Sequence, residues 1–178
     1  MDLQDIIIRG LSFLTLFANI VILAYFFDLG MKKSGKERFF ESFWSFIGHH
    51  SLTFGLIVSG ISMIGSLVLS EVLKFTPCTL CWYQRILMYP IAIMFLVAMI
   101  KKDRRVFRYT LPLAILGLMV AAFHYLMQTI QLDIPCSAVG YSVSCSEFFF
   151  MQFGYITIPF MALTAFLLLI ILPFVNRQ

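Results

Sequence analysis

The segment "TPCTLCWYQRILMYPIAIMFLVAMIKKDRR", residues 76–105, sets two cysteines and an arginine before an apolar run that ends in a basic cluster. Between Trp82 and Ile100 the run carries a single charge, that of Arg85. An apolar helix of about 20 residues is long enough to cross the hydrocarbon core of a bilayer. The segment therefore predicts a transmembrane helix with the C-x-x-C pair at one membrane surface and the basic cluster at the other.

The composition of the whole chain excludes an ordinary soluble domain. Of its 178 residues, 61% are hydrophobic and only 12% are charged, whereas about a quarter of the residues in a soluble domain are charged. A soluble fold of this size has too little interior for so much apolar surface. The basic residues lie beside the apolar runs, as membrane topology requires, so a lipid bilayer is the expected partner and nucleic acid is not.

Five apolar runs have about the length that a membrane-spanning helix needs. Because lipid offers no hydrogen bonds to the backbone, each run is expected to be a helix. The expected spans are Ile6 to Phe27, Leu52 to Leu69, Trp82 to Ile100, Tyr109 to Ile130 and Tyr155 to Val175.

Basic residues predict how these spans are oriented. They concentrate in residues 28–49, in 101–108 and in the C-terminal tail, which the positive-inside rule assigns to the cytoplasm. The N-terminus and the loops 70–82 and 131–154 then face outward, and these two loops hold all four cysteines. The acidic head "MDLQD" and the lack of a small-residue cleavage site predict that the first span is a retained helix.

Residues 34–50, "SGKERFFESFWSFIGHH", are rich in aromatic side chains between the first two spans. An amphipathic helix in the cytoplasmic interface is one interpretation. An aromatic belt at the start of the second span is the other.

The four cysteines form two pairs by proximity, Cys78 with Cys81 and Cys136 with Cys145. Three connectivities are possible, and an outward location permits disulfides. A zinc site is disfavoured because eight residues separate the second pair, and Cys136–Cys145 could be a structural disulfide. A Cys78–Cys81 ring closes too small a loop to stabilise a fold much, which favours a redox-active pair.

The neighbours of Cys81 favour a thiolate. The cysteine falls near the predicted start of a helix, where backbone N–H groups and the helix dipole favour negative charge. Arg85 follows four residues later, on the same helical face. A thiolate and a cation at the bilayer surface, above apolar walls, would suit a lipid-soluble planar electron acceptor such as a quinone.

These residues resemble the DsbB family of membrane oxidases, which regenerate thioredoxin-fold proteins that donate disulfides. "PCTLCWYQR", residues 77–85, is similar to the family signature P-C-x-x-C-x-x-x-R, and "IPC" followed by eight residues and Cys145 is similar to its second cysteine pair. The C-x-x-C precedes the loop pair, as in this family, whereas it follows the loop pair in vitamin K epoxide reductases. The resemblance covers about residues 51 to 175, and the short second loop is similar to that of compact, BdbC-like members.

The resemblance implies a site for quinone, either ubiquinone or menaquinone. Cys78 and Cys81 would be the quinone-proximal pair, and Cys81 the thiolate that contacts or adds to the ring. Arg85 would bind a quinone oxygen. His124 resembles a family histidine near the quinone, although an interhelical hydrogen bond is the alternative for this residue. No metal ligands are implied.

The second pair, Cys136 and Cys145, would be a shuttle for electrons. Cys136 would be attacked by a reduced DsbA-like thioredoxin-fold partner, and Cys145 would exchange with Cys78. The activity implied is that of a protein-disulfide:quinone oxidoreductase in the bacterial cytoplasmic membrane, with the cysteine loops facing the periplasm or the cell exterior. The alternatives left open are a membrane protein with structural disulfides and a zinc-binding cysteine cluster.

The expected architecture combines the spans with the resemblance. It is an all-α membrane protein in which one additional transmembrane helix precedes a four-helix bundle. The N-terminus lies outside and the C-terminus in the cytoplasm. Residues 1–50 would hold the additional helix and the interfacial segment, and residues 51–178 would form the oxidase core.

Overall fold

The computed structural model describes residues 3–33, 40–131, 145–146 and 148–175. Within these ranges the chain is helical, and its β-structure is one isolated bridge between Gln152 and Ile156. The helices are α1 (Leu3–Lys33), α2 (Glu41–His49), α3 (Ser51–Leu67), α4 (Thr79–Lys101), α5 (Phe107–Ile130) and α6 (Ile158–Val175). A π-helical turn, Val68–Val72, continues α3, and a 3₁₀ turn, Arg104–Val106, precedes α5.

Five of these helices are long and apolar enough to cross a membrane, which confirms the predicted spans. The boundaries differ by a few residues. The helix predicted from Trp82 begins at Thr79, because Cys78 caps it, and the last helix begins at Ile158 rather than Tyr155. The orientation of the spans and the division at residue 50 stay predictions.

Helices α3 to α6 form the bundle. Each packs on the next, and α6 returns to contact α3. Two glycines allow close packing of aromatic rings: a Cβ on Gly55 would collide with the ring of Phe95, and one on Gly117 with the ring of Phe166. Both rings are fully buried, so the bundle core depends on these small-against-large contacts.

Helix α1 packs on the outside of this bundle, against α6. The hydroxyl of Thr164 in α6 donates a hydrogen bond to the side-chain oxygen of Asn19, at 3.1 Å. Near the C-terminal end of α1, one carboxylate oxygen of Asp28 accepts from the indole N–H of Trp44 at 2.7 Å and from the backbone N–H of Phe40 at 3.0 Å. These bonds fix α1 to the bundle and to α2.

Helix α2 is amphipathic. Residues 34–39 of the predicted interfacial segment lie outside the described residues, and the place of the segment in the membrane interface stays a prediction. Trp44 and Ile47 are buried, whereas Phe43 and Phe46 are exposed. The exposed aromatic face is typical of a helix that lies in a membrane interface.

We predict that Gly117→Ala destabilises the bundle. The added methyl group must displace the buried ring of Phe166, and overpacking of this kind costs about 1–3 kcal/mol. The matched control is Gly60→Ala in α3, because a Cβ there meets nothing within 4 Å. Thermal unfolding in detergent should show a lower midpoint for Gly117→Ala and an unchanged or higher one for Gly60→Ala. Equal midpoints for Gly117→Ala and the native chain would contradict the packing described.

Candidate active site

The cysteine pair lies at the start of α4, as the sequence predicts. Cys78 is the N-cap residue, with an extended backbone (φ −74°, ψ 170°), and its sulfur accepts a hydrogen bond from the backbone N–H of Cys81 at 3.4 Å. Cys81 therefore lies in the first helical turn, where the backbone N–H groups favour an anionic sulfur.

The two sulfur atoms are close but not bonded. Their separation is 3.0 Å. Cys78 is only 2% exposed. The hydrogen bond with Cys81, and then burial, raise the pKa of Cys78 above its usual value. Cys78 is therefore held as a thiol in the reduced pair.

His124, on α5, contacts Cys78. Its Nε2 lies 3.6 Å from the Cys78 sulfur, and its Nδ1 lies 3.0 Å from the amide nitrogen of Gln84. With an amide N–H donated to Nδ1, the proton of a neutral imidazole lies on Nε2, facing the sulfur. The contact between Gln84 and His124 joins α4 to α5 and was not predicted from the sequence, since the two residues are 40 positions apart.

Arg85 is anchored to the end of α3. Its Nε donates to the Ser66 hydroxyl and its Nη2 to the Ser66 carbonyl, both at 2.9 Å. The guanidinium also lies 5.2 Å from the ring centre of Trp82. Ser66 comes just before the π-helical turn Val68–Val72, an irregularity that is common at functional sites. Nothing in the sequence distinguishes Ser66 from the other serines of this span.

A cavity of about 430 Å³ opens between α1, α3, α4 and α6. Cys81, Arg85 and Ser66 line it at the cysteine end, and most other lining side chains are apolar. The volume lies within the usual range of small-molecule sites. A thiol and a cation at one end of an apolar cavity fit a planar, lipid-soluble molecule with ring oxygens, such as a quinone.

His124 and Cys78 do not line this cavity. They border a separate small pocket, and Cys81 borders both spaces. Cys81 is thus the sulfur that connects the cysteine pair with the large cavity. That His124 binds quinone stays a prediction, whereas its contact with Cys78 is part of the structure.

Cys145 is brought to the pair from the loop before α6. It is 1% exposed and packs with Cys78 and Met127. The ring of Phe149, four residues later, stacks on Phe75 at 5.0 Å between centroids, which holds this loop against the segment that leads into Cys78. The other predicted shuttle cysteine, Cys136, lies outside the described residues.

A metal ion is a second possible occupant of the pair. The ligand atoms of Cys78, Cys81 and His124 lie within 4.8 Å of one another. Two thiolates on tetrahedral zinc lie about 3.8 Å apart, given zinc–sulfur bonds of about 2.3 Å. The observed 3.0 Å is shorter, so the sulfurs would have to separate before zinc could bind.

Comparison with known proteins identifies the family of the chain. The family model "Disulfide bond formation protein DsbB" matches residues 49–176. "Disulfide bond formation protein C" of Bacillus subtilis is 47% identical over 115 residues, which are 65% of this chain and 83% of the relative. "Probable disulfide formation protein C 1" of Bacillus cereus is 41% identical over 66% of this chain and 84% of the relative.

A relative from another genus is also named as a disulfide formation protein. "Probable disulfide formation protein" of Coxiella burnetii is 39% identical over 68% of this chain and 83% of the relative. No solved structure matches the chain significantly. The family match begins at residue 49, so it excludes the whole of α1 and all of α2 except its last residue. The chain belongs to the DsbB family, and it is a multi-pass membrane oxidoreductase of disulfide bond formation.

Proposed function

We propose that the protein reoxidises a DsbA-like thioredoxin-fold dithiol outside the cytoplasm and passes the electrons to a membrane quinone. The observation that carries the proposal is that Cys81 and Arg85 line the same end of an apolar cavity, with the Cys78 sulfur 3.0 Å behind Cys81. The protein would lie in the bacterial cytoplasmic membrane with its cysteine loops facing the periplasm or cell exterior. Residues 51–178 would be the oxidase core, and residues 1–50 an addition to it.

Two electrons and two protons would move at each of three exchanges. The partner dithiol attacks the Cys136–Cys145 disulfide, leaves as a disulfide and reduces both cysteines. Cys136 and Cys145 then reduce the Cys78–Cys81 disulfide and become oxidised again. Finally Cys78 and Cys81 return to the disulfide while one quinone is reduced to quinol. Each exchange between thiols passes through a mixed disulfide, and the packing of Cys145 on Cys78 supports that pair for the second exchange.

His124 would act on the sulfur of Cys78. Whenever a bond to Cys78 breaks, its sulfur leaves as a thiolate inside a buried site, where an unpaired charge is costly. The Nε2–H of His124 can donate to that sulfur, and Gln84 holds the imidazole in the required tautomer. Gln84 is therefore a positioning residue in this proposal.

Arg85 would bind and polarise a quinone oxygen. Two of its N–H groups are used by Ser66, which fixes the guanidinium plane and leaves its remaining donors for a ligand. A donor that is already oriented in a low-dielectric site stabilises developing negative charge without reorganisation. A DsbA-like partner is itself strongly oxidising, with a potential of about −120 mV, so few protein disulfides can reoxidise it. The quinone is therefore the final electron acceptor in this proposal.

A zinc-binding protein is the second candidate, favoured by the cluster of Cys78, Cys81 and His124. It predicts stoichiometric zinc in protein purified under reducing conditions, lost in a Cys78→Ser variant. The oxidase requires both sulfurs to be available, so stoichiometric zinc that blocks dithiol oxidation would favour this candidate.

We predict that Cys81→Ser abolishes quinone reduction and that Arg85→Ala lowers kcat/KM for quinone about a hundredfold, the usual effect of losing one oriented donor. The assay follows quinone absorbance in nanodiscs after addition of a reduced DsbA-like protein. Arg105→Ala is the matched control, because Arg105 is exposed in the loop after α4. Arg85→Lys should be impaired as well, since a lysine cannot reproduce the two bonds to Ser66.

Two results of this assay would contradict the proposal in whole or in part. Folded native protein that reduces neither ubiquinone nor menaquinone with any thioredoxin-fold dithiol would overturn the proposal. Full activity in Arg85→Ala would remove Arg85 from the site while leaving the cysteine pathway intact.

We predict that Cys78 of the reduced protein reacts with iodoacetamide only at high pH. A raised pKa means that the thiol keeps its proton as pH increases, so the alkylation midpoint should lie above the usual thiol pKa of about 8.5. Cys81→Ala removes the hydrogen bond that contributes most, and its midpoint should fall. Mass spectrometry of the Cys78 peptide gives the rates, with detergent-unfolded chain as the reference. A native midpoint at or below this reference would contradict the geometry.

A further inference from the structure

The large cavity extends far beyond the site of the quinone ring. Its lining runs along α1 from Leu11 to Tyr25 and along α6 from Ile158 to Val175. At the helical rise these stretches measure about 20 and 25 Å, most of the bilayer's hydrocarbon thickness of about 30 Å. A ring held at Cys81 and Arg85 would occupy only the cysteine end.

Helix α1 supplies one wall of this cavity. It is fixed to α6 by the bond between Thr164 and Asn19, and its Leu11 reaches α3 at Gly65. On the C-terminal side of Leu11, side chains of α1 and of α3 line the same open space. They include Ala18 and Val21 of α1 and Val58 and Ile61 of α3. The space therefore exists because α1 packs on α6 and stands away from most of α3.

The walls that α1, α3 and α6 form are mostly apolar along their length. Several hydroxyls in the lining are already bonded: Thr15 donates to the Leu11 carbonyl and Ser62 to the Val58 carbonyl, both at 2.8 Å, and Thr164 donates to Asn19. On α4, the buried hydroxyl of Tyr89 has no hydrogen-bond partner among the described residues. Among the described lining residues, Arg85 is the one that carries a charge. A ligand of the cavity should thus have a polar group at the cysteine end and a long chain that is mainly apolar.

We propose that α1 completes a binding tunnel for the isoprenoid tail of the quinone. The inference rests on the proposed function and extends it to a helix that precedes the family match. A neutral ring oxygen suits Arg85, which is only 9% exposed, whereas the bulky charged headgroup of a phospholipid would have to be desolvated there. The tail buries apolar surface against α1, α3 and α6 and thereby adds to the affinity for the ring.

The test compares two quinones with the same ring, one carrying a single isoprene unit and the other four. Both are assayed as ubiquinones and as menaquinones, in nanodiscs with reduced DsbA-like protein. Ala18→Phe fills the tunnel from α1, and Ala162→Phe fills it from α6. Ile20→Phe is the matched control, because Ile20 is 57% exposed on α1 and does not line the cavity.

Filling the tunnel should raise KM for the four-isoprene quinone more than KM for the one-isoprene quinone, by a factor of roughly ten. That factor corresponds to displacing about two buried methylene groups. The Ile20→Phe control should leave the ratio of the two KM values unchanged. Ala162→Phe should reproduce the effect of Ala18→Phe, so poor folding of one variant does not leave the question open.

Two outcomes would overturn the tunnel while leaving the oxidase intact. One is a KM ratio unchanged in both filled variants. The other is a tightly bound phospholipid that mass spectrometry detects in native protein and not in Ala18→Phe, with tail length irrelevant to KM. Failure of the native protein to reduce even the one-isoprene quinone would instead reject the oxidase itself, and the tunnel with it.

Discussion

An arginine side chain near the start of a membrane-spanning helix needs partners, because an unpaired cation next to hydrocarbon is costly. Arg85 finds them in the hydroxyl and carbonyl of Ser66 and in the ring of Trp82. These contacts tie the start of α4 to the end of α3 and keep the guanidinium at the cavity rather than at the water interface. The position of Cys81, one turn earlier, follows from the same attachment.

The site divides its chemistry between two sides of the cysteine pair. Cys78 faces His124 and packs against Cys145, on the side that we propose for the exchange of thiols. Cys81 faces the apolar cavity with Arg85. The stack of Phe75 on Phe149 holds together the segment before Cys78 and the segment after Cys145.

The features that depend on local sequence pattern could be predicted from the sequence alone. Five spans, the helix start at the C-x-x-C and the shared face of Cys81 and Arg85 all follow from apolar length and helical spacing. The partners of Arg85 and His124 did not, because Ser66 and Gln84 are ordinary polar residues whose importance arises from contacts between helices. The cavity could not be predicted from the sequence either. It depends on how α1 packs, and hydrophobic periodicity does not specify how helices pack in lipid.

A single turnover of a variant without the loop cysteines, Cys136→Ser with Cys145→Ser, tests most directly that Cys78 and Cys81 alone deliver electrons to quinone. The variant would be reduced, freed of reductant, mixed with quinone and quenched with acid, and both quinol and remaining thiols would be counted. We expect one quinol for each Cys78–Cys81 disulfide formed, and no further turnover with the dithiol partner. Retention of both thiols with no quinol formed would contradict the account.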